Sequence, residues 1–362
     1  MRILVNCLAT SKGGALSILT NFYNHIKNSK EEKENEWIFL LNDKYIEETD
    51  NIKVIIVNKG KQSPLRRLYF DFIKGKTYIS KYNPDVVFSL QNTISFGLKI
   101  PQVLYMHQAI PFQQEKNFSF FKKDERTFAL YQHVIGRVII SSIKRANHTI
   151  VQTDWIKREV VSKCGIDLSS ISVVLPNIEK LPEIKKIKRN EKSYTNFFYP
   201  AAKSIYKNHG CIYEATRILQ NEGITDYNID LTIKKESDTQ NINFLNEISR
   251  EKVNEKYQYS TLIFPSYIET LGLPLLEAKQ YSSIILASDM PFSKEVLKNY
   301  ENAYYFNPHK PAQLAKLMSK VISGEITRKE TFENKDILET DSWKDVCEII
   351  KDEGRTRITN NT

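Results

Sequence analysis

Two periodicities alternate along the first half of the chain. Short apolar runs read as buried strands: RILVNCLA at 2–9, WIFLLN at 37–42, KVIIVN at 53–58, DVVFSL at 85–90, QVLYMHQ at 102–108, HTIVQT at 148–153 and ISVVLPN at 171–177. Between them lie segments of helical spacing. GGALSILTNFYNHIKNS has apolar residues at 15, 18, 19, 22 and 26. PLRRLYFDFIKGKTYISKY at 64–82 is basic and helical, 117–147 is rich in aromatics and Lys/Arg, and DWIKREVVSKCG ends at Gly165, a C-terminal cap. Strands apolar on both faces and separated by helices predict a parallel sheet covered on both sides.

Residues 178–195 break this rhythm. They are dense in Lys, Glu and Pro, with isolated Ile and Leu, a composition that suits an interdomain linker. The alternation then restarts. TNFFYPA, NIDLTIKK, STLIFP and SIILAS read as strands; HGCIYEATRILQNE at 209–222 and segments near 272–281, 291–299 and 311–323 read as helices. The expected organisation is an α/β chain of two facing Rossmann-like domains with a cleft between them. Their bounds are 1–176 and 177–340, and a C-terminal helix and tail at 341–362 packs back on the first domain.

Composition narrows the class. The 362 residues are 41% hydrophobic and 26% charged, as in soluble globular proteins. No apolar run approaches the roughly 18–20 residues of a membrane helix. The start, MRILVNCLATSKGG, reads as a strand ending in a glycine loop rather than as a signal peptide. Cys7, Cys164, Cys211 and Cys347 are too scattered for metal or redox motifs and read as buried, reduced thiols; the histidines form no zinc pattern. Charge is uneven. Residues 1–176 hold 25 Lys/Arg against 16 Asp/Glu, whereas 177–362 hold 27 of each, so the net +9 belongs to the first half. Such a half suits phosphate-rich partners: nucleic acid, anionic lipid or diphosphates.

The stretch YIETLGLPLLEA at 267–278 carries the clearest chemistry. It follows a strand, turns at Gly272 and enters a helix with Pro274 in its first turn. The amides of Thr270, Leu271, Gly272 and Leu273 then stand at a helix start, where they and the helix dipole attract an anion. Glu277, one turn in, suits a cis-diol, because an ionised carboxylate accepts two hydrogen bonds. Glu269 at the loop tip reaches hydroxyls beyond the anion. A sugar, a diphosphate and a ribose fit this order.

The E-x7-E spacing resembles the signature of family 4 of the retaining GT-B glycosyltransferases (glycosyl transferases group 1), of the bacterial polysaccharide-assembly type. SDMPFSKEV at 288–296, YPAAKSIYKNHGCIYEA at 199–215, VQTDWIKREV at 151–160, ISVVLPN and the Gly13–Gly14 pair resemble further segments of those enzymes, so the likeness spans nearly the whole chain. It implies a hexosyltransferase using a UDP- or GDP-linked sugar, without metal or other cofactor. Lys207 would stabilise the leaving diphosphate, with Glu269 on the donor sugar, Glu277 on the ribose and His107 at the reacting centre. Asn208, Lys203 and the amides of Gly13 and Gly14 would join the donor site. The sequence departs from the family pattern at Thr270–Leu271–Gly272, where many members have Gly-Phe-Gly. Ala202 stands where many have arginine, a place Lys203 fills only in part, since lysine lacks the bidentate fork.

Plainer readings stand beside these. Gly13–Gly14 also suits a tight strand-to-helix turn, a lone His107 suits a structural role, and Asn208 suits a helix cap. Weaker candidates are Asp154 and Ser266. Other functions compatible with the pattern are a GT-B-fold sugar-nucleotide epimerase or phosphorylase. A basic nucleic-acid-binding protein is more remote, since no helix-turn-helix, RRM or zinc pattern is present. The reading implied for the protein is a cytoplasmic glycosyltransferase, with no nucleic-acid partner, building O-antigen or capsule on an undecaprenyl-diphosphate-linked acceptor. Stretches 64–78 and 118–137 interleave basic and aromatic residues, which predicts docking on an anionic membrane face through Arg66, Arg67, Lys122 and Lys123.

Overall fold

The computed structural model describes residues 1–10, 14–57, 64–176, 195–236, 239–329 and 342–360. Gly13, Asn177 and residues 178–194 of the expected linker lie outside them. The chain forms two compact units, Met1–Asn177 with Thr340–Thr362, and Ile178–Glu339.

In the first unit, β1 (Arg2–Asn6), β2 (Glu36–Leu41), β3 (Ile52–Ile56), β4 (Val86–Ser89), β5 (Gln102–Tyr105), β6 (His148–Val151) and β7 (Ile171–Val173) form one parallel sheet in the order β3-β2-β1-β4-β5-β6-β7. Ile3 pairs in register with Trp37 on one side and Val86 on the other. The central strands are buried along their length, which is why they read as continuous apolar runs. The helix Gly14–Asn28 contributes Leu19, Phe22, Tyr23 and Ile26 to one face of the sheet. The helix Ser342–Asn360 adds Trp343, Val346, Cys347 and Ile350 to the same core. The Trp343 ring lies 5.0 Å from Phe22 and 5.8 Å from Tyr105. Lys351 fixes this helix to the buried Glu32 at 2.8 Å. All four cysteines are buried, and none is in a disulfide.

The second unit repeats the plan. β8 (Asn196–Tyr199), β9 (Asn228–Leu231), β10 (Ile242–Phe244), β11 (Thr261–Phe264), β12 (Ile285–Ser288) and β13 (Ala303–Phe306) form a parallel sheet in the order β10-β9-β8-β11-β12-β13. Strand order therefore reverses between β1 and β4 in one sheet and between β8 and β11 in the other. At such a switch point the flanking connections leave to opposite faces, and a crevice opens beyond the carboxyl ends of the strands.

Three features depart from the sequence reading. Edge strands β10 and β13 and the helix Arg250–Tyr259 carry no periodic signal that predicts them. The helix at 64–80 has a π turn at Phe70–Lys74, which turns Phe70 and Asp71 inward. Arg67, expected on a basic surface, has a side chain only 16% exposed. Its guanidinium donates to the Gln91 carbonyl and, at 3.0 Å, to Thr93 Oγ1, and stands 3.8 Å from Asp71. Asp71 is fully buried and accepts from Gln91 Nε2 at 3.0 Å and Thr93 Oγ1 at 2.7 Å. Burial raises its pKa to about 6, against the opposing Arg67 charge. Arg67 is thus an interior brace for the loop after β4, not a surface cation.

Candidate active site

The loops leaving β8 and β11, the two strands at the second switch point, hold most of the predicted residues. Lys207 closes a short 3₁₀ turn at Ile205–Lys207, and Asn208 follows in the left-handed region at φ 58°. The Asn208 side chain makes no helix cap. Its Nδ2 donates to the carbonyls of Pro265 at 3.2 Å and Pro308 at 2.8 Å, tying three loops at the strand ends. Tyr267 N–H donates to the Tyr206 carbonyl at 3.1 Å. The buried Tyr199 hydroxyl donates to the Lys207 carbonyl at 2.9 Å and lies 2.7 Å from Ser266 Oγ. The Ser266 carbonyl in turn accepts from Ser288 Oγ at 2.6 Å. Ser266 therefore braces the loop from beneath.

This scaffold brings Lys207 and Glu269 into a direct ion pair across 62 positions of sequence. Burial works against the lysine's charge, but the Glu269 carboxylate outweighs it and raises the Lys207 pKa. Lys207 is cationic at any working pH. Beyond the pair the chain passes Thr270 and the buried Leu271 to Gly272, at φ +80°. A Cβ there would meet Leu275 Cδ1 at 3.1 Å, so the turn requires glycine. The helix Leu273–Gln280 begins at once, with Pro274 in its first turn. Pro274 has no N–H, and the Leu275 N–H donates to the Gly272 carbonyl at 2.9 Å, closing the first turn.

Glu277 is buried, at 6% exposure, and both its oxygens hold protein donors. Arg250 donates to Oε1 at 2.7 Å and the buried Tyr257 hydroxyl to Oε2 at 2.7 Å. Burial first, then the adjacent carboxylate, pushes the tyrosine's pKa far up and keeps it a donor. Each carboxylate oxygen has a second lone pair, so a diol remains acceptable. Arg250 and Tyr257 were not foreseen; KYQYS at 256–260 offers no pattern that marks them. Lys203 lies apart, exposed and ion-paired with Glu236.

The remaining candidates belong to the first unit. Gly14 starts a helix, exposed and with open space around it. Asp154 opens the helix Asp154–Cys164, which ends at Gly165 in the left-handed region. His107 follows β5. Its N–H donates to Asn92 Oδ1 at 2.7 Å, which turns Asn92 Nδ2 toward His107 Nε2 at 3.3 Å. Nε2 then accepts and the proton resides on Nδ1, which has no partner. Burial, helped by the nearby Arg67 charge, lowers the His107 pKa to about 4. The ring is neutral and offers one unpaired N–H. Among the described residues no three His, Cys, Asp or Glu side chains converge as a metal site, and no helix is long and apolar enough to cross a membrane.

Known proteins share this fold. The solved structure of WaaG, a glycosyltransferase involved in lipopolysaccharide biosynthesis, superposes with a TM-score of 0.65 over 97% of this chain and 99% of that one, at 12% identity. Anabaena HepE in complex with UDP-glucose gives 0.61 over 99% of both chains, at 13% identity. Both establish the GT-B fold. Residues 182–336 match the family model for glycosyl transferases group 1. The O-antigen chain mannosyltransferase RfbU of Salmonella typhimurium is 27% identical over 275 residues, 70% of each chain. The protein therefore has the GT-B fold. Its second unit resembles glycosyl transferases group 1.

Proposed function

We propose that this enzyme moves a sugar, with retention of anomeric configuration, from a UDP- or GDP-linked donor to a lipid-diphosphate-linked glycan in surface polysaccharide assembly of the O-antigen kind. The observation that carries the donor assignment is the Lys207–Glu269 pair at the switch point, beside the helix start and Glu277. The names of RfbU and WaaG support the pathway class, and the UDP-glucose bound by HepE supports a nucleotide sugar.

In this reading Glu277 takes the ribose hydroxyls, and Lys207 with the amides of residues 270–273 takes the diphosphate. Glu269 serves two partners, positioning Lys207 and accepting from the donor sugar. The bond from C1 to the β-phosphate oxygen breaks, and negative charge grows on that oxygen, where Lys207 and the helix start stabilise it. The acceptor oxygen bonds to C1 on the same face, and its proton passes to the departing phosphate. The cation and the helix start supply the positive potential, so the reaction runs without metal.

Calorimetry against UDP, GDP, ADP and CMP tests the donor site. GDP-mannose and UDP-glucose are the first donors for a transfer assay, with product anomers read by NMR. Binding of one diphosphate and a product that keeps the donor's anomeric configuration are expected. No nucleotide binding, an inverted product, or a requirement for free phosphate would overturn the reading.

A further inference from the structure

Among the described residues nine large hydrophobic side chains stand well exposed, and seven of them belong to the first unit: Tyr69, Phe72, Ile73, Phe120, Phe121, Val134 and Leu168. The extreme case is Phe121, 94% exposed, next to Phe120 at 45%. An unanchored loop tip would fold such rings back onto the protein. Here the tip is held from within. Glu125 is buried beneath it and accepts from Ser119 N–H at 2.9 Å and Lys116 Nζ at 3.0 Å. Arg126 Nε donates to the Phe120 carbonyl at 3.1 Å, and Phe121 N–H donates to Ser119 Oγ at 3.2 Å. Gln132 holds Phe118 N–H at 2.8 Å. The loop is braced with the Phe121 ring in solvent and the Phe120 ring half-exposed against His133, 5.7 Å away.

The charges around those rings are sorted. The acid Glu125 is turned inward, while Lys122, Lys123 and Arg126 are exposed against one exposed acid, Asp124. Tyr69, Phe72 and Ile73 are flanked in the same way by exposed Lys74 and Lys76. Aromatic rings ringed by lysine match the boundary between lipid headgroups and acyl chains, with cations at the phosphate level. A protein partner offers no such reason to pair apolar tips with outward cations across residues 1–176, whose net charge is +9.

We infer that the Phe120–Phe121 tip is a membrane-insertion element that docks the first unit on an anionic bilayer, with Lys122, Lys123 and Arg126 at the phosphates. The inference rests on the lipid-linked acceptor proposed above and deepens it: the tip keeps the enzyme at the surface where such an acceptor resides.

The full-length protein provides its own reporter. Trp37, Trp155 and Trp343 are all buried, so Phe121→Trp adds a single exposed indole. With phosphatidylglycerol-containing vesicles its emission should shift to the blue and be quenched by brominated acyl chains. Phosphatidylcholine vesicles should give neither change. In flotation, wild-type protein should rise with anionic vesicles and less so as salt increases. Phe120→Ser with Phe121→Ser, or Lys122→Glu with Lys123→Glu, should each cut the bound fraction roughly tenfold. Nucleotide binding in calorimetry should survive both pairs, which separates a failure of docking from a failure of the donor site. The proposal is overturned if the new tryptophan is not quenched. It is also overturned if the double-serine variant floats as wild type, or if that variant converts a dimer to a monomer, which would make the tip a contact between copies.

Discussion

Replacing Glu277 by alanine separates two jobs that one carboxylate holds. In the folded protein it accepts from the buried Tyr257 hydroxyl and from Arg250. Alanine leaves the hydroxyl a buried donor without an acceptor, which costs about 1–3 kcal/mol. Arg250, with its side chain 45% exposed, returns to water, so its loss adds only about 0–1 kcal/mol. A total near 2–3 kcal/mol corresponds to a fall in Tm of roughly 4–12 °C for a unit of this size. If the carboxylate also clamps the ribose, two charge-assisted bonds disappear from the complex. At about 1.5–3 kcal/mol for each bond, the loss of even one weakens nucleotide binding by roughly tenfold to 150-fold.

Tyr257→Phe isolates the first job. It removes the donor but leaves the carboxylate, so stability should fall by about 1 kcal/mol. Nucleotide affinity should move by less than about threefold. In the double variant both partners are gone, and an apolar pair of similar shape is nearly neutral. Its Tm should therefore exceed that of Glu277→Ala alone while its affinity stays low. Scanning calorimetry gives the stabilities and titration calorimetry the affinities. If Glu277→Ala loses Tm but binds nucleotide as wild type does, the carboxylate is only an anchor for Tyr257 and Arg250, and the ribose assignment fails.

Lys207→Ala should lower kcat by roughly 10²–10³ through the lost charge at the leaving phosphate, and added magnesium should not restore it. Wild-type transfer should proceed fully in excess EDTA; an enzyme silenced by chelation and revived by manganese contradicts the proposed source of positive potential. The His107 ring should titrate near pH 4 by NMR. Its folded pKa lies below the unfolded value of about 6.5, so the unfolded chain binds more protons between those limits. This contribution to stability is complete above pH 6.5 and is lost as pH falls toward 4. His107→Gln should make that slope shallower in acid-unfolding measurements; a ring that titrates near 6.5 refutes the assignment of burial and the Arg67 charge as its cause.

The central strands and the Gly272 turn were legible because each is a local matter: continuous apolar runs, and a glycine where only glycine fits. What the sequence could not show was set by distant partners. Asn208 looks like a cap because it precedes a helix, yet its side chain serves Pro265 and Pro308, the latter 100 positions away. Arg67 sits in a basic run, but the π turn at 70–74 carries Asp71 inward, and the guanidinium goes with it. Edge strand β10 is three residues long, and β13 leaves Tyr305 exposed, so neither shows a sustained apolar run. Glu277 was placed by the pattern of its own helix; Tyr257 and Arg250 reach it from another helix with no periodicity to announce them.

Topology explains why Lys207 and Glu269 meet at all. β8 and β11 are sheet neighbours but not sequence neighbours, because β9 and β10 occupy the other side of β8. Their outgoing loops are thus adjacent in space, while the helices that follow, His209–Asn221 and Leu273–Gln280, are connections leaving the sheet at its switch point. Two loops that must diverge leave a crevice, and a crevice at strand ends needs something to hold its walls in register. Asn208 bridges them with neutral hydrogen bonds, Tyr199 and Ser266 support them from the core, and Lys207 with Glu269 pairs across them. The first three brace the walls without using the groups a ligand needs. The ion pair alone puts a charged acceptor and a charged donor at the rim, and either partner can exchange part of its pairing for a sugar hydroxyl or a phosphate oxygen. That is why it, rather than the buried brace, is the place to look for catalysis.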